Sequence, residues 1–543
     1  MAEEGGDPLP LRQPLEIPLT HRLRAGPPYD AFEELRDDLN SWGRAVGLGF
    51  VKLRVSNDVK GFGPTRIGLV CDRGGRQRDS KANIRRTTTQ KTGCTWEGVA
   101  KALKIDDRRW TFEVLKHQHN HEASTSPAEL TTHRVHRQLT DEMKNEINTL
   151  SGNAAIRARD VLQHMQHQHP DAVITQTDIK NQRARLARQN KDGYTGTQAL
   201  VKGLEDHGVR HVVRYASDDP DKVIGVFWTH PWCETMWKRF PDVLQMDNTY
   251  QTNKFKMPFF QVTAISNVGS IFNIAFGLVD NEREDGFRWL VEQLYGFQTQ
   301  LGISDPDVIV TDSDAALKSA LKTIFSGSRQ QQCIFHINKN VVLNVKRKWR
   351  KPGGLEINTD NEEVLEPLSR LPDDEEVDSD VVRVLSTPDN ESGQNPSAPA
   401  QIEHSMAGLF KLWKKMVFTI DEAEFNENWT KMKQEFADQP AIIGYLAKTW
   451  IPCREEWAMT WTSRNRNFGQ RTTSPTEAAH RDIKSYLIRG TSDLYRLSEV
   501  VTQMLEAKEK TFNEEMARQK LKQRYQYIGS GFDWLGTTNR EVA

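Results

Sequence analysis

Cysteine is scarce: five residues in a chain of 543. An odd number at wide spacing does not suggest a disulfide framework and fits a reducing compartment, where Cys serves as a core residue or a metal ligand. Long apolar runs are missing too, and nothing approaches the roughly 20 residues that a membrane span needs. The N-terminus MAEEGGDPLPLRQP is acidic and Pro-rich, unlike a secretory signal. Together these absences lead us to expect a soluble, intracellular protein. An excess of charge is also lacking, with 73 Lys and Arg against 74 Asp and Glu. Any affinity for nucleic acid must therefore reside in local patches. No internal repeat is visible.

Composition and periodicity predict an α+β multidomain chain. Residues 1–28 read as a disordered leader. Residues 29–125 carry short β-like segments, two cysteines and a histidine tract. Over 138–205 the pattern turns helical and basic, and TDEMKNEINTL, AIRARDVLQHMQ and TQTDIKNQRARLARQN read as three short helices. Strands followed by βα alternation fill 222–345. Residues 352–403, with the acidic run PDDEEVDSD and the apolar-poor STPDNESGQNPSAPAQ, cannot bury a core and read as a disordered linker. Residues 404–470 are helical and Trp-rich, and 471–530 continue as helices.

The stretch VLQMDNTYQTNKF (243–255) places one acid, Asp247, inside a strand-like segment. Acids are depleted in strands and costly when buried. Asp247 is thus either a cap of the following turn or a metal ligand. After it, PFFQVTAISNVG and SIFNIAFGLVDNE read as a hairpin with a Gly turn. DGFRWLVEQLYGFQTQLG puts Phe287, Leu290, Val291, Leu294 and Leu301 on one helical face and stops at Gly302. A buried strand, Val308–Val310, then leads to Asp312 and a helix, and QQQCIFHINKN gives another strand and helix. Three strands, a helix, a strand, a helix and a strand form the ribonuclease H-like order, in which the first and fourth strands are neighbours. Asp247 and Asp312 would then project side by side and share an oxygen-preferring cation such as Mg²⁺. RTTSPTEAAHRDIKSYL supplies a third acid, Glu477, on a late helix. Each acid also has a plain structural reading. Asp312 or Asp314 suits a helix cap, and Ser474-Pro475-Thr476-Glu477 reads as a capping box with Glu477 at N3.

MDNTYQTNKFKMPFFQVTAIS, VIVTDSDAALKSAL, CIFHINKNV and TTSPTEAAHRDIKSYL together resemble the transposases of Mutator-like elements (MULE) and the plant far-red response regulators descended from them. The resemblance covers about 140–530. It implies a ribonuclease H-like α/β catalytic core interrupted by a helical insertion. It also implies a catalytic Asp-Asp-Glu set, falling by motif on Asp247, Asp312 and Glu477 as ligands of Mg²⁺ or Mn²⁺. The implied reaction is two-metal phosphoryl transfer on DNA: hydrolysis at the element ends, then joining to target DNA. Such a mechanism needs no covalent enzyme intermediate, in keeping with the lack of a nucleophile motif. A DNA transposase implies nuclear localisation, double-stranded DNA as partner and a homo-oligomer that joins two ends. The alternative is a domesticated, non-catalytic DNA-binding transcriptional regulator. Many members carry a C-terminal SWIM motif; here no cysteine follows Cys453, which suggests a lineage without it or a truncated gene.

In the N-terminal segment, Cys71 and Cys94 precede WTFEVLKHQHNHEAS, which offers His117, His119 and His121. Two Cys and a His-x-His can bind Zn²⁺ tetrahedrally, or the cysteines are core residues beside an exposed His tract. The segment resembles the WRKY/GCM-type zinc finger of the far-red regulators, which implies Cys71, Cys94, His119 and His121 as Zn²⁺ ligands and leaves out His117. The loop RQRDSKANIRRTTTQKTG would add phosphate-binding charge. Cys333 and His336 form a C-x-x-H pair of structural, unassigned role, while Cys233 and Cys453 read as core residues. Lys180, Arg183, Arg185, Arg188 and Lys191 lie on the last basic helix, either a solvated face or the recognition helix of a helix-turn-helix. Lys346, Arg347, Lys348, Arg350 and Lys351 form a further basic patch.

Overall fold

The computed structural model describes residues 18–59, 63–75, 89–102, 104, 107–152, 156–350, 379–388, 402–487 and 493–521. It divides into two compact units, Met1–Asn190 and Lys191–Ala543. The expected leader lies outside the described residues up to position 17, and the basic loop does so over 76–88.

The first unit begins with helices α1 (His21–Ala25) and α2 (Phe32–Val46). Both depart from expectation. Helix α1 lies within the leader, with Leu23 buried, and α2 opens a segment that reads as β-like. The reason is visible in α2. Phe32, Leu35, Leu39 and Trp42 recur at helical spacing and all are buried. The helix closes on Gly47 in the left-handed region (φ 75°), where a Cβ would lie 2.0 Å from the Ser124 carbonyl oxygen. Strands β1 (Phe50–Val59), β2 (Gly63–Cys71), β3 (Glu97–Ala102) and β4 (Trp110–Lys116) follow as an antiparallel sheet in sequential order. Its core includes Phe50 and Trp96, whose rings lie 4.3 Å apart, and Trp110. After a short helix α3 (Pro127–Leu130), helices α4 (Asp141–Gly152), α5 (Ala158–Gln168) and α6 (Gln176–Asn190) pack around Met143, Ile147, Val161, Met165 and Ile179.

The second unit opens with α7 (Gly196–Asp206), strands β5 (Arg210–Tyr215) and β6 (Val223–Thr229), and helix α8 (Pro231–Arg239). Then come β7 (Val243–Thr249), β8 (Phe259–Ile265), β9 (Ile271–Val279), α9 (Glu284–Leu301), β10 (Val308–Thr311), α10 (Ala315–Ile324), β11 (Arg329–Gln332) and α11 (Ile334–Lys348). The sheet is mixed, in the order β11-β10-β7-β8-β9-β6-β5. It extends further towards the N-terminus than the sequence reading, because β5 pairs along its length with β6. Strand β7 lies between β10, which it meets in parallel, and β8, which it meets antiparallel. Near-continuous apolar sequence suits strands covered on both faces, and every residue of β9 but the first is buried. Gly277 lets α9 approach: a Cβ there would sit 2.4 Å from Leu290 Cδ2. Gly302 ends α9 in the left-handed region, at φ 66°.

Helix α12 (Ser379–Ser386) corrects the linker expectation, whose positions 352–378 and 389–401 lie outside the described residues. The apolar VVRVL gives it an inward face, with Val382 and Leu385 buried against the α11 region. Helices α13 (Met406–Phe418), α14 (Glu422–Glu435), α15 (Pro440–Thr449) and α16 (Met459–Thr462) complete this helical layer around Trp413 and Trp457, with ring centroids 4.9 Å apart. Trp413 Nε1 donates to Asn338 Oδ1 on α11 at 2.8 Å. Helices α17 (Ser474–Tyr486) and α18 (Leu494–Leu521) return to the sheet, where Thr476 and Thr263 share a hydroxyl hydrogen bond of 2.7 Å.

Candidate functional site

The sheet order fixes where the acids stand. Asp247 sits on β7 and Asp312 directly follows β10, the strand paired beside it. Glu477 lies in the first turn of α17, which the Thr263–Thr476 contact holds over β8. All three line one cavity of about 990 Å³. Asp247, His336 and Glu477 present ligand atoms within 4.8 Å of one another; Asp312 lies outside that trio and lines the same cavity.

Local structure separates capping acids from the others. Asp314 is the N-cap of α10 and accepts from Ala316 N and Leu317 N at 2.8 and 2.9 Å. Asp312 accepts only a turn contact, from Asp314 N at 3.1 Å, and remains turned to the cavity. Glu477 is not the N3 residue of a capping box. Helix α17 has Thr473 as N-cap, without a side-chain cap hydrogen bond, and Glu477 instead faces His336 Nε2 at 3.3 Å. Asp247 Oδ1 accepts from Asn248 N at 2.9 Å, and its other oxygen lies 3.9 Å from His480 Nδ1.

The electrostatics are those of acids crowded in a low-dielectric cleft. Burial pushes the Asp247 carboxyl up to about 8, against the pull of His336 and with the help of Asp312 and Glu477. Burial also raises Asp312. His336 moves the other way from a plain buried histidine. Burial opposes its charge, but the Cys333 sulfur, Glu477 and Asp247 outweigh burial and hold it well above its usual value. Cys333 itself is a buried N-cap of α11, and its sulfur accepts from Thr473 N at 3.1 Å. The C-x-x-H pair thereby ties α11 to the segment that carries Glu477.

A divalent cation fits this donor set. The oxygens are hard ligands, and mutual repulsion of the acids is what a bound cation relieves. His480 Nε2 and Asn248 Oδ1 are buried without a partner beside the same cavity. Two neighbours went unread in the sequence. His480 follows Glu477 by three residues, so helical spacing placed it on the same face. Glu282, just before α9, also lines the cavity; it stands in the acid-rich run DNERED, where nothing singles it out.

In the first unit, Cys71, Cys94, His119 and His121 are buried and bring their ligand atoms within 4.8 Å of one another. Cys71 Sγ lies 3.1 Å from His121 Nε2, and Cys94 Sγ lies 3.3 Å from His119 Nδ1. Roughly 3.3–3.8 Å is the edge of a tetrahedron built on zinc–sulfur and zinc–nitrogen bonds. His121 Nδ1 faces the Glu122 carbonyl at 2.9 Å, so a proton there leaves Nε2 free to ligate. The Cys94 thiol is lowered by its hydrogen bonds with Cys71 and the two histidines, while Cys71 is raised by that same bond and by burial. Two buried sulfurs set against two imidazole nitrogens form a donor set that a cation can bind. His117 is exposed.

The five basic residues expected on the last basic helix divide. Lys180, Arg185 and Arg188 are exposed. Arg183 Nε donates to Ser151 Oγ on α4 at 2.9 Å. Lys191 lies beyond the helix, in the second unit, and pairs with Asp493. Lys346, Arg347 and Lys348 occupy the last turn of α11, whereas Lys351 lies outside the described residues. Cys233 is buried in α8 and Cys453 is half-buried.

Residues 243–340 match the MULE transposase domain. The chain carries a MULE transposase domain. Its MULE domain contains Asp247, Glu282, Asp312 and His336, while Glu477 lies beyond the match. Over 523 residues the chain is 32% identical to the PKS-NRPS hybrid synthetase cheA of Chaetomium globosum, covering 95% of this chain and 10% of that protein. It is 25% identical over 334 residues to the Arabidopsis thaliana Protein FAR1-RELATED SEQUENCE 5, covering 58% of this chain and 41% of the relative. With Protein FAR-RED IMPAIRED RESPONSE 1 of the same plant it shares 22% over 290 residues, 52% of this chain and 33% of the relative. The chain thus spans a tenth of the first protein and less than half of each of these plant relatives. No helix among the described residues is long and apolar enough to cross a membrane.

Proposed function

We propose that this chain is a DNA transposase of the Mutator-like type, with a ribonuclease H-like core whose catalytic acids are Asp247, Asp312 and Glu477. The observation that carries the reading is the parallel pairing of β7 with β10, with acids from both and from α17 lining one cavity. When bound there, Mg²⁺ or Mn²⁺ supplies Lewis-acid stabilisation of the phosphoryl oxygens and activates the attacking water or 3′-hydroxyl. The chain's own residues do the rest. Asp247 and Asp312 present oxygens from a rigid sheet, and Glu477 closes the set from a helix. Lys339, Arg383, Arg481 and Lys484 line the cavity wall and offset the charge of the DNA backbone. Cleavage at the element ends comes first and joining to target DNA second.

In the first unit, Zn²⁺ on Cys71, Cys94, His119 and His121 would fix the sheet for DNA binding, and the exposed cations of α6 add phosphate contacts. The reaction places the protein in the nucleus and pairs two element ends, so a homo-oligomer on DNA follows. Mass measurement of the DNA-bound protein tests that last step, and finding monomers alone sinks it. A non-catalytic regulator is the second reading, supported by the similarity to proteins named for far-red response.

Strand cleavage of a labelled element end with Mg²⁺ or Mn²⁺ separates the two. The transposase reading expects nicking at the element boundary by the wild type. Asp247→Asn and Glu477→Gln should keep DNA binding and lose cleavage by at least about a hundredfold, as for a group acting in the transition state. Equal binding by all three proteins with no cleavage supports the regulator instead.

A further inference from the structure

Glu282 stands in the loop between β9 and α9 and lines the cavity that holds the three acids. Its carboxylate is clamped from one side. Tyr250 Oη donates towards both oxygens, at 2.6 and 2.7 Å, and Asn248 Nδ2 donates to Oε1 at 2.9 Å. Both donors belong to the segment that carries Asp247: Asn248 is its neighbour, and Tyr250 follows three residues on. One stretch of backbone therefore fixes Asp247 directly and Glu282 through two side chains.

The charges around Glu282 make that placement costly. The acids it feels are Asp314 and Asp312, both of like sign. Glu282 is half-buried and Tyr250 is exposed, so the pair stands at the rim of the cavity. Here two neutral donors hold it inward, and neither brings the positive charge that would compensate it. An independent observation points to the missing ligand. His480, more than nine-tenths buried, has its Nε2 without a partner on the same cavity wall. Asn248, the clamp itself, leaves Oδ1 unpartnered. Buried polar atoms of this kind call for a partner, and an ion with its water shell would supply one.

We propose that Glu282 is a fourth functional acid of the site, a divalent-cation ligand set in place by Tyr250 and Asn248. The cavity then carries four carboxylates, Asp247, Glu282, Asp312 and Glu477, with Glu477 beside His336. Tyr250 and Asn248 are positioning residues. This inference rests on the metal-binding reading of Asp247 given above.

The test is a titration of the full-length protein with Mn²⁺, without DNA, followed by calorimetry and by the paramagnetic signal of free Mn²⁺. The wild type should bind two ions, as two-metal phosphoryl-transfer sites do. Glu282→Gln should weaken one of them at least about tenfold and spare the other. Tyr250→Phe, which keeps the carboxylate but removes its clamp, should weaken the same ion by roughly tenfold, the usual scale for a group that orients a ligand. Thermal melting reports whether each variant is folded. If folded Glu282→Gln binds both ions like the wild type, Glu282 is only a loop anchor and the proposal falls. Should that variant not fold, an unchanged Mn²⁺ affinity in Tyr250→Phe overturns it equally. Asp247→Asn separates the two levels: if it too retains both ions, the metal reading fails, and not merely its extension to Glu282.

Discussion

A carboxyl pushed up to about 8 at Asp247 has a consequence for stability. The unfolded chain releases this proton near the ordinary value of 3.8. Between that value and about 8 the folded, metal-free protein holds more protons than the unfolded one, so folding weakens as pH rises through this window. Asp247→Asn removes the titration while keeping the shape. It is expected to raise the melting temperature of the metal-free protein at pH 8, by about 2–4 °C for each kcal/mol gained. The gain should shrink towards pH 4. Adding Mg²⁺ at pH 8 should raise the wild-type melting temperature and leave the variant unmoved. Scanning calorimetry of both proteins at pH 5 and pH 8 checks this, and a variant less stable than wild type at pH 8 contradicts it. On the proposed function, such a site trades stability for acids where packing alone would place apolar groups.

At the level of elements, what could be read in the sequence followed from periodicity. The β7–α11 succession was legible because strands and helices alternate there with clear apolar patterns and Gly302 marks a stop. Helix α2 was not, because its apolar positions adjoin β-like segments and the helical spacing of Phe32, Leu35, Leu39 and Trp42 was outweighed by that context. Helix α12 was hidden by its surroundings: five residues, VVRVL, suffice to dock it within a chain otherwise rich in acids. Leu385→Ala should cost about 2–5 kcal/mol if this docking is as tight as its burial implies, measured by denaturant unfolding. Glu477 was placed on the right helix but at the wrong turn position, because caps shift by a residue for reasons that lie in tertiary contacts; here Thr473 N is bound to the Cys333 sulfur. For α6, exposure divides what charge alone could not. Alanine at Arg185 or Arg188 should lower DNA affinity and reduce the salt slope by about 1 each. Arg183→Ala should instead cost stability, about 1 kcal/mol for the lost bond to Ser151.

The whole molecule consists of two units with separate apolar cores. One is built on Phe50, Trp96 and Trp110 with a three-helix layer, the other on the mixed sheet with its Trp-rich helices. Only the first holds the Cys71, Cys94, His119 and His121 group. A small sheet domain gains a large share of its stability from a structural metal, because the ligands come together only on folding. The second unit holds none of these ligands, and its own core is extensive. Chelation should therefore act on one unit alone. Treatment with a strong zinc chelator, or Cys94→Ser, should release the zinc, lower one of two melting transitions and abolish sequence-specific DNA binding. The other transition and the Mn²⁺ affinity of the Asp247 site should stay as they were. Zinc content by elemental analysis, calorimetry and Mn²⁺ titration on the same samples read these three properties separately. A single transition that shifts as one on chelation would mean that the units unfold cooperatively. Loss of Mn²⁺ affinity together with zinc would mean that the zinc module shapes the acid site as well, and that DNA recognition and chemistry are energetically coupled.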